Sequence, residues 1–416
     1  MPPVTRPRAT SGDTAVEPEW EERLTITVGP SGADLIGTGD KAIQAAVDYV
    51  ARLGSGTVRI LPGEYRLRNS VFLKTGVRIL GSGPESVLVK EPCVETTLAE
   101  DSDWYDQEIT LKESSGFQVG DGVCLQTDNP DDGGRKVLKR TLVARTGNRF
   151  RLDRALRENF WTLKTPIVST LYPLLTAEEQ TDIAIENVVL DGNKDKNKHL
   201  DGNYAGCIWF QDCSRLVMRG VTARNNFGDG ISWQICHDVL VEDCHCHDNA
   251  DLGLHPGSGS QRPVIRNNTL ERNGIGIFFC WGVKYGLAEG NKIRDSRQYG
   301  ISIGHRDNGN IVRDNEIVGS SISGLLFRPE RGAGFTAREN RFEGNRIVDN
   351  GPEDGVAVDV QGVTEANALV RNEILETRGS ASRTAIRIAK EAGDIELVEN
   401  RVEGFKTPVQ DLRRGQ

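Results

Sequence analysis

Six segments of the chain open on glycine and run into a short apolar stretch. They are Gly206-Cys-Ile-Trp209, Gly230-Ile-Ser-Trp233, Gly253-Leu-His-Pro256, Gly276-Ile-Phe-Phe279, Gly300-Ile-Ser-Ile303 and Gly324-Leu-Leu-Phe327, with glycines 24, 23, 23, 24 and 24 residues apart. A period in the twenties with one short strand per unit restricts the chain to a solenoid, because a lone unit cannot bury its apolar face and must stack on its neighbours. The first and third positions after each glycine are nearly all apolar, whereas the second varies (Ser232, His255, Phe278, Ser302, Leu326). That alternation has period two, so one face is buried and the other is free to carry chemistry. On this reading Trp209 and Trp233 both point into the core.

Leucine-rich repeats share the period but need a leucine framework and a helical segment, and neither is visible. Each unit instead has a second β-like run (Leu216-Val-Met218, Val239-Leu-Val241, Val264-Ile265, Ile311-Val312) and an Asn-rich corner at Asn225-Asn226, Asn267-Asn268, Asn291, Asn315, Asn340 and Asn345. Asn tolerates left-handed backbone and bonds its own turn, and asparagines at equivalent corners can bond one another up a stack. The pattern predicts an all-β right-handed parallel β-helix.

A compact protein of 416 residues would hold two or three domains, but a solenoid grows one coil at a time around one core. The formal net charge of −9 argues against nucleic acid as a partner. No window reaches the roughly 18 apolar residues of a membrane-spanning helix, and no membrane partner is expected. The eight cysteines fall mostly at core-like positions and read as buried free thiols rather than disulfides. Met1-Pro-Pro-Val-Thr-Arg-Pro-Arg8 lacks the apolar stretch of a signal peptide. The expectation is an extracellular or periplasmic protein if a leader has been removed, and a cytoplasmic one otherwise.

Residues 1–20 read as a disordered tail, 24–99 as a cap with the first coils, 100–172 as a small all-β insertion, 173–405 as regular coils and 406–416 as a polar tail. In the cap, Asp40 to Arg52 forms an amphipathic helix with Ile43, Ala46, Val47 and Val50 on one face, and Asp40 is placed to cap it. Such a helix covers the open end of the first coil, an edge that otherwise invites aggregation. The insertion either braces the cap, the preferred reading, or walls one end of a groove.

The cap carries a resemblance. Gly32-Ala-Asp34, Asp40, Ala42-Ile-Gln-Ala-Ala-Val-Asp48, Gly56-Thr-Val58, Pro62-Gly-Glu-Tyr65 and Gly81-Ser-Gly83 resemble the N-terminal cap of the pectate-lyase-like β-helix superfamily. That superfamily includes polygalacturonases, rhamnogalacturonases, polysaccharide lyases and phage tailspikes. With the coils, the resemblance covers residues 24 to 405. It implies the fold and a glycan partner, and leaves the reaction open.

Candidate site residues lie on the outward face. Asp229 precedes Gly230 by one and Asp251 precedes Gly253 by two, so on coils about 4.8 Å apart the carboxyls fall ~5–9 Å from one another. That brackets the separations of retaining and inverting glycosidases. Asn226-Phe-Gly-Asp229-Gly-Ile-Ser232 resembles a polygalacturonase segment whose aspartates activate water and protonate the leaving oxygen. The chain departs from that family in having one aspartate at Ala250-Asp251-Leu252, and Gly274-Ile-Gly276 where the family has a histidine between glycines. His255 and His305 complete the catalytic candidates. Gln234, Phe278, Trp281, Tyr299, Arg306, Asp307, Arg328, Glu330 and Arg331 are the substrate-binding candidates. Arg306 and Glu330 are expected to pair across one coil, and the arginines suit a carboxylate or sulfate on the glycan.

Cys236-His237 and Cys244-His-Cys-His247 resemble a zinc cluster in composition, but alternation sends the cysteines and histidines to opposite faces. Asp191 to Asn197 imitates the start of a calcium loop without its glycine and final glutamate. No cofactor or metal is expected, with Ca2+ at that loop as the remaining alternative. The leading expectation is carboxylate-assisted hydrolysis of a polysaccharide, one bearing acidic groups. The alternatives are a polysaccharide lyase or uronate C5-epimerase using His or Arg, and a non-catalytic glycan-binding or tailspike-like module. A monomer or homotrimer is expected.

Overall fold

The computed structural model describes residues 17–128, 133–330, 332–379 and 382–413. Three long sheets of 13, 11 and 11 strands run side by side, and each coil of chain contributes one strand to each. The sheet that matters for function, here the site sheet, stacks Leu175–Glu178, Gly206–Gln211, Asp229–Gln234, Leu252–Pro256, Ile275–Phe278, Tyr299–Ile303 and Ser323–Phe327 in parallel. Ile208, Ile231, Leu254, Ile277, Ile301 and Leu325 form one inward column, and all are buried in the continuous core.

One phase in the alternation is corrected. Gly206 pairs with Asp229, not Gly230, so Trp209 stands opposite Ser232 on the outward face while Ile208 and Phe210 point inward. The run Cys207-Ile-Trp-Phe210 is apolar throughout, and period two cannot set the phase of such a run; a one-residue slip turns every side chain over. Trp233 does lie in the core.

The corners stack as asparagine ladders. Asn268, Asn291, Asn315, Asn345, Asn372 and Asn400 form one line, each amide Nδ2 donating to the next Oδ1 at 2.8–2.9 Å. Asn310, Asn340 and Asn367 form a second. The left-handed residue is usually the one before the ladder asparagine, as at Asp314 and Arg371. The ladder side chain is thus selected for bonding up the stack rather than for its own turn.

Helix Asp40–Arg52 buries Ile43, Ala46, Val47 and Val50 against the first coil. Asp40 is its first residue rather than its cap, and its carboxylate accepts from the Arg68 backbone N–H. A separate six-stranded antiparallel sheet from Glu95–Thr97 to Ile167–Ser169 has its own core. It is braced to the cap by Arg68–Asp121 at 2.7 Å, and reaches the site sheet through Lys139, which lies over the Trp209 ring.

The tail expected at 1–20 lies outside the described residues as far as 16. Residues 17–20, expected to belong to that tail, are described. Trp20 packs on Ala184, Val217, Leu240 and Val264, an apolar outer stripe of the 13-stranded sheet. At the other end Thr407–Asp411 pairs with Thr384–Ile388, so a strand continues past residue 405. All eight cysteines are free thiols, and seven are buried.

Candidate active site

The outward column of the site sheet reads Trp209, Ser232, His255, Phe278, Ser302, Leu326. A polar loop, residues 193–205, crosses the front of this column. Between them lies a cavity of about 620 Å3, lined by His199, Asp229, Asp251, His255, Phe278 and Trp281 among others. That size suits a ligand of a few sugar rings.

Asp229 and His255 form a buried pair, 1% and 3% exposed. Asp229 Oδ2 lies 2.7 Å from His255 Nδ1, and Oδ1 accepts the Leu252 N–H at 3.0 Å. Ser232 Oγ lies 3.3 Å from the same ring nitrogen and donates to the Gly202 carbonyl at 2.6 Å. Gly202 is required there, since a Cβ on it would fall 1.6 Å from Asp229 Oδ2. Both Asp229 oxygens are therefore engaged, while His255 Nε2 is itself buried and the ring also interacts with the Cys280 side chain of the cavity wall.

Burial opposes a charge on His255, but the Asp229 carboxylate more than offsets this, and the imidazolium is held up to about 10. Burial likewise pushes the Asp229 carboxyl above its ordinary value, opposed by the imidazolium. The pair as a whole grips its proton. At neutral pH the charged form of His255 is favoured, by Asp229 first and Cys280 after it.

Asp251 stands on the next coil, offset by one residue from Asp229, and lines the same cavity. It is paired with His199 of the crossing loop, Nε2 to Oδ2 2.6 Å. The hydrogen bond to Asp251 raises the His199 pKa, with burial opposing it. His199 was not among the sequence candidates. Its only signal was its position in a polar loop just ahead of a coil, because a loop contact leaves no periodic trace.

The second cluster does not join the cavity. His305 is sandwiched between Trp281 and Phe335, ring centroids 4.5 and 4.6 Å away, with Nδ1 3.3 Å from Glu330. Asp307 is fully buried, accepts from the Val283 and Gly304 N–H groups, and binds Arg328 at 3.1 Å; burial pushes its carboxyl up to about 7. Glu330 pairs with Arg328 and His305 rather than with Arg306, which turns to the Gly334 carbonyl and the Phe335 ring. Arg328 lies over Phe278 at 4.3 Å and donates to Ser302, which fixes the Phe278 ring beside His255. Gln234 is buried and holds the Ser258 N–H. Tyr299 is half-buried at a strand start, next to Gln298 of the cavity wall. Arg331 lies outside the described residues. Of the sequence candidates, the cavity thus gathers Asp229, Asp251, His255, Phe278 and Trp281.

Since His305 is a packing residue in this arrangement, His305→Phe should keep the ring stack and forfeit one hydrogen bond. Thermal unfolding should register a loss of about 1 kcal/mol, with kcat changed less than about threefold; a proton-transfer role would cost ~10²-fold or more.

The metal-like motifs separate. Cys244 and Cys246 lie in the core, while His245 and His247 face out and bind Glu271 and Asp248. Asp191 of the calcium-like loop binds Arg224.

A family model described as a right handed beta helix region matches residues 176–288. No match was found among curated proteins. Among solved structures, the A-module of mannuronan C-5 epimerase AlgE6 from Azotobacter vinelandii is similar with TM-score 0.52 and 16% identity, over 89% of this chain and 91% of that one. PfbA, a surface adhesin of Streptococcus pneumoniae, is similar with TM-score 0.52 and 10% identity, over 90% of each chain. The Dettilon tailspike protein (gp208) gives 0.52 and 11% over 89% of this chain and 68% of its own. The chain has a right-handed parallel β-helix fold. Within that β-helix, the crossing loop and the column that begins at Trp209 give this chain its own cavity.

Proposed function

We propose that the chain is a polysaccharide-cleaving enzyme that works by hydrolysis, with His255 as general acid and Asp251 as general base. The observation that carries this reading is the buried Asp229–His255 pair at the cavity, with Asp251 on the same wall. His255 Nε2–H protonates the glycosidic oxygen as the bond from that oxygen to the anomeric carbon breaks. Asp251, a third exposed on its side chain, takes a proton from the water whose oxygen attacks that carbon. Asp229 touches no substrate; it holds the imidazole in place and stabilises its positive charge, as the buried aspartate does in other Asp–His arrangements. Phe278 and Trp281 offer ring faces to the sugar.

A second reading, elimination or C5-epimerisation of a uronate, is favoured by the presence of two Asp–His pairs at one cavity, as such chemistry removes and returns a proton at carbon. The AlgE6 module, named as a mannuronan C-5 epimerase, shares the fold. Against it, both histidines are biased toward the protonated form, which suits an acid better than a base.

A panel of neutral, uronic and sulfated polysaccharides separates these. Hydrolysis gives new reducing ends without near-ultraviolet absorbance, and His255→Ala should lower that rate ~10³-fold. Unsaturated products, or inverted uronate with no cleavage, would replace hydrolysis by the second reading. Binding with no product of either kind would leave a glycan-binding module.

A further inference from the structure

The insertion and the first coils of the site sheet enclose a second cavity of about 450 Å3, and Asn203 lines both this cavity and the one at His255. Its walls carry Lys139, Arg140, Arg154 and Arg157 against a single carboxylate, Glu178. In a chain of net charge −9, that is a local reversal of sign.

Lys139 and Arg140 are the informative members. Lys139 donates to the Tyr204 carbonyl and its ammonium lies 3.1 Å from the centroid of the Trp209 ring. Arg140, 8% exposed, donates to the carbonyls of Lys139, Ala155 and Leu156. Among the described residues, the hydrogen-bond partners of both cations are thus carbonyls. Burial holds Lys139 down to about 7 and Arg140 down to about 10. A cation taken out of water without a carboxylate in contact is costly, and an arriving anion relieves that cost. Trp209 Nε1, also at this wall, is a buried donor with no partner. Arg154, at 3.8 Å from Asp153 and 3.9 Å from Glu178, and Arg157 stand exposed at the rim, where guanidinium forks suit bidentate contact with carboxylate or sulfate.

We infer that this cavity is a subsite for an anionic sugar ring, carrying carboxylate or sulfate, of the same chain whose bond reacts at His255. The inference rests on the reading of the His255 cavity as a glycan site. Trp209 is two coils from His255, or about 10 Å along the stack, so the ring held here is a neighbour of the reacting one. The insertion then sets which polysaccharide is accepted, while the coils supply the chemistry.

The test is calorimetric binding to the full chain with hexamers of galacturonate and of mannuronate, a chondroitin sulfate hexasaccharide, and neutral cellohexaose and maltohexaose. At least one acidic hexamer should bind 10-fold or more tightly than the neutral ones. Arg154→Gln/Arg157→Gln, at exposed positions, should remove that preference, and His255→Ala should keep it. Which acidic hexamer wins distinguishes carboxylate from sulfate. No preference for any acidic hexamer, a preference that survives the double variant, or one lost in His255→Ala overturns the subsite. An arginine-dependent preference in a protein that cleaves nothing in the polysaccharide panel supports the subsite and refutes the hydrolytic reading alone.

Discussion

Asp229→Asn should lower kcat/KM by ~10³-fold at pH 8 without unfolding the protein. The side chain is nearly isosteric, and its oxygen can still accept the Leu252 N–H that now binds Oδ1. What disappears is the negative charge 2.7 Å from His255. Burial then acts on His255 unopposed by its largest favourable neighbour, and the imidazolium falls from about 10 to below its ordinary value near 6.5. The sign follows directly. An acid must hold its proton to act, so the alkaline limb of the native enzyme falls as pH rises through about 10, while that of the variant falls below neutrality. A pH–rate profile with its alkaline limb unmoved in Asp229→Asn would sink the assignment of His255 as the acid. Activity that rises rather than falls as pH passes through about 10 in the native enzyme would make His255 a base and favour the elimination or epimerisation reading.

Asn315→Ala is expected to cost about 4 kcal/mol of stability. The Asn315 side chain is 1% exposed and makes four hydrogen bonds. Its Oδ1 accepts from the Asn291 backbone N–H and Nδ2, and its Nδ2 donates to the Ala288 carbonyl and Asn345 Oδ1. Alanine removes all four bonds, at about 1 kcal/mol each, and leaves the Asn291 backbone N–H without its acceptor, while Asn345 Oδ1 keeps the backbone N–H of residue 315 and Asn291 Nδ2 keeps the Ile265 carbonyl. That is a large share of a typical 5–15 kcal/mol total. Urea unfolding gives the size, and amide hydrogen exchange should show the loss concentrated on the coils around Asn291 and Asn345. A loss below about 1 kcal/mol, or one spread evenly over the molecule, would mean that the ladder is decorative.

The solenoid was legible because its signals are periodic. Glycines two dozen residues apart and apolar positions two apart describe contacts that repeat in every coil, so an error at one is corrected by the next. The phase at Gly206 failed where that redundancy was missing, in a stretch apolar at every position. The candidate site was legible in its sheet residues, Asp229, His255 and Phe278, whose direction follows from strand geometry. Residues beyond the strand ends were not. His305 and Asp307 follow the strand Tyr299–Ile303, and Arg328 and Glu330 follow Ser323–Phe327, where alternation no longer says which way a side chain points. The pairing of Asp229 with His255 was hidden for another reason. Two residues each suitable for catalysis were visible, but only their 2.7 Å contact turns one into the support of the other. His199 belongs to a loop whose seat depends on Gly202 lying against Asp229, a steric fit between segments that no local pattern encodes.

The six-rung asparagine line from Asn268 to Asn400 gives every floor of the tower the same socket above and plug below. A whole storey beyond Ser323–Phe327 can therefore be spliced out or duplicated with its neighbours still meeting matching hardware.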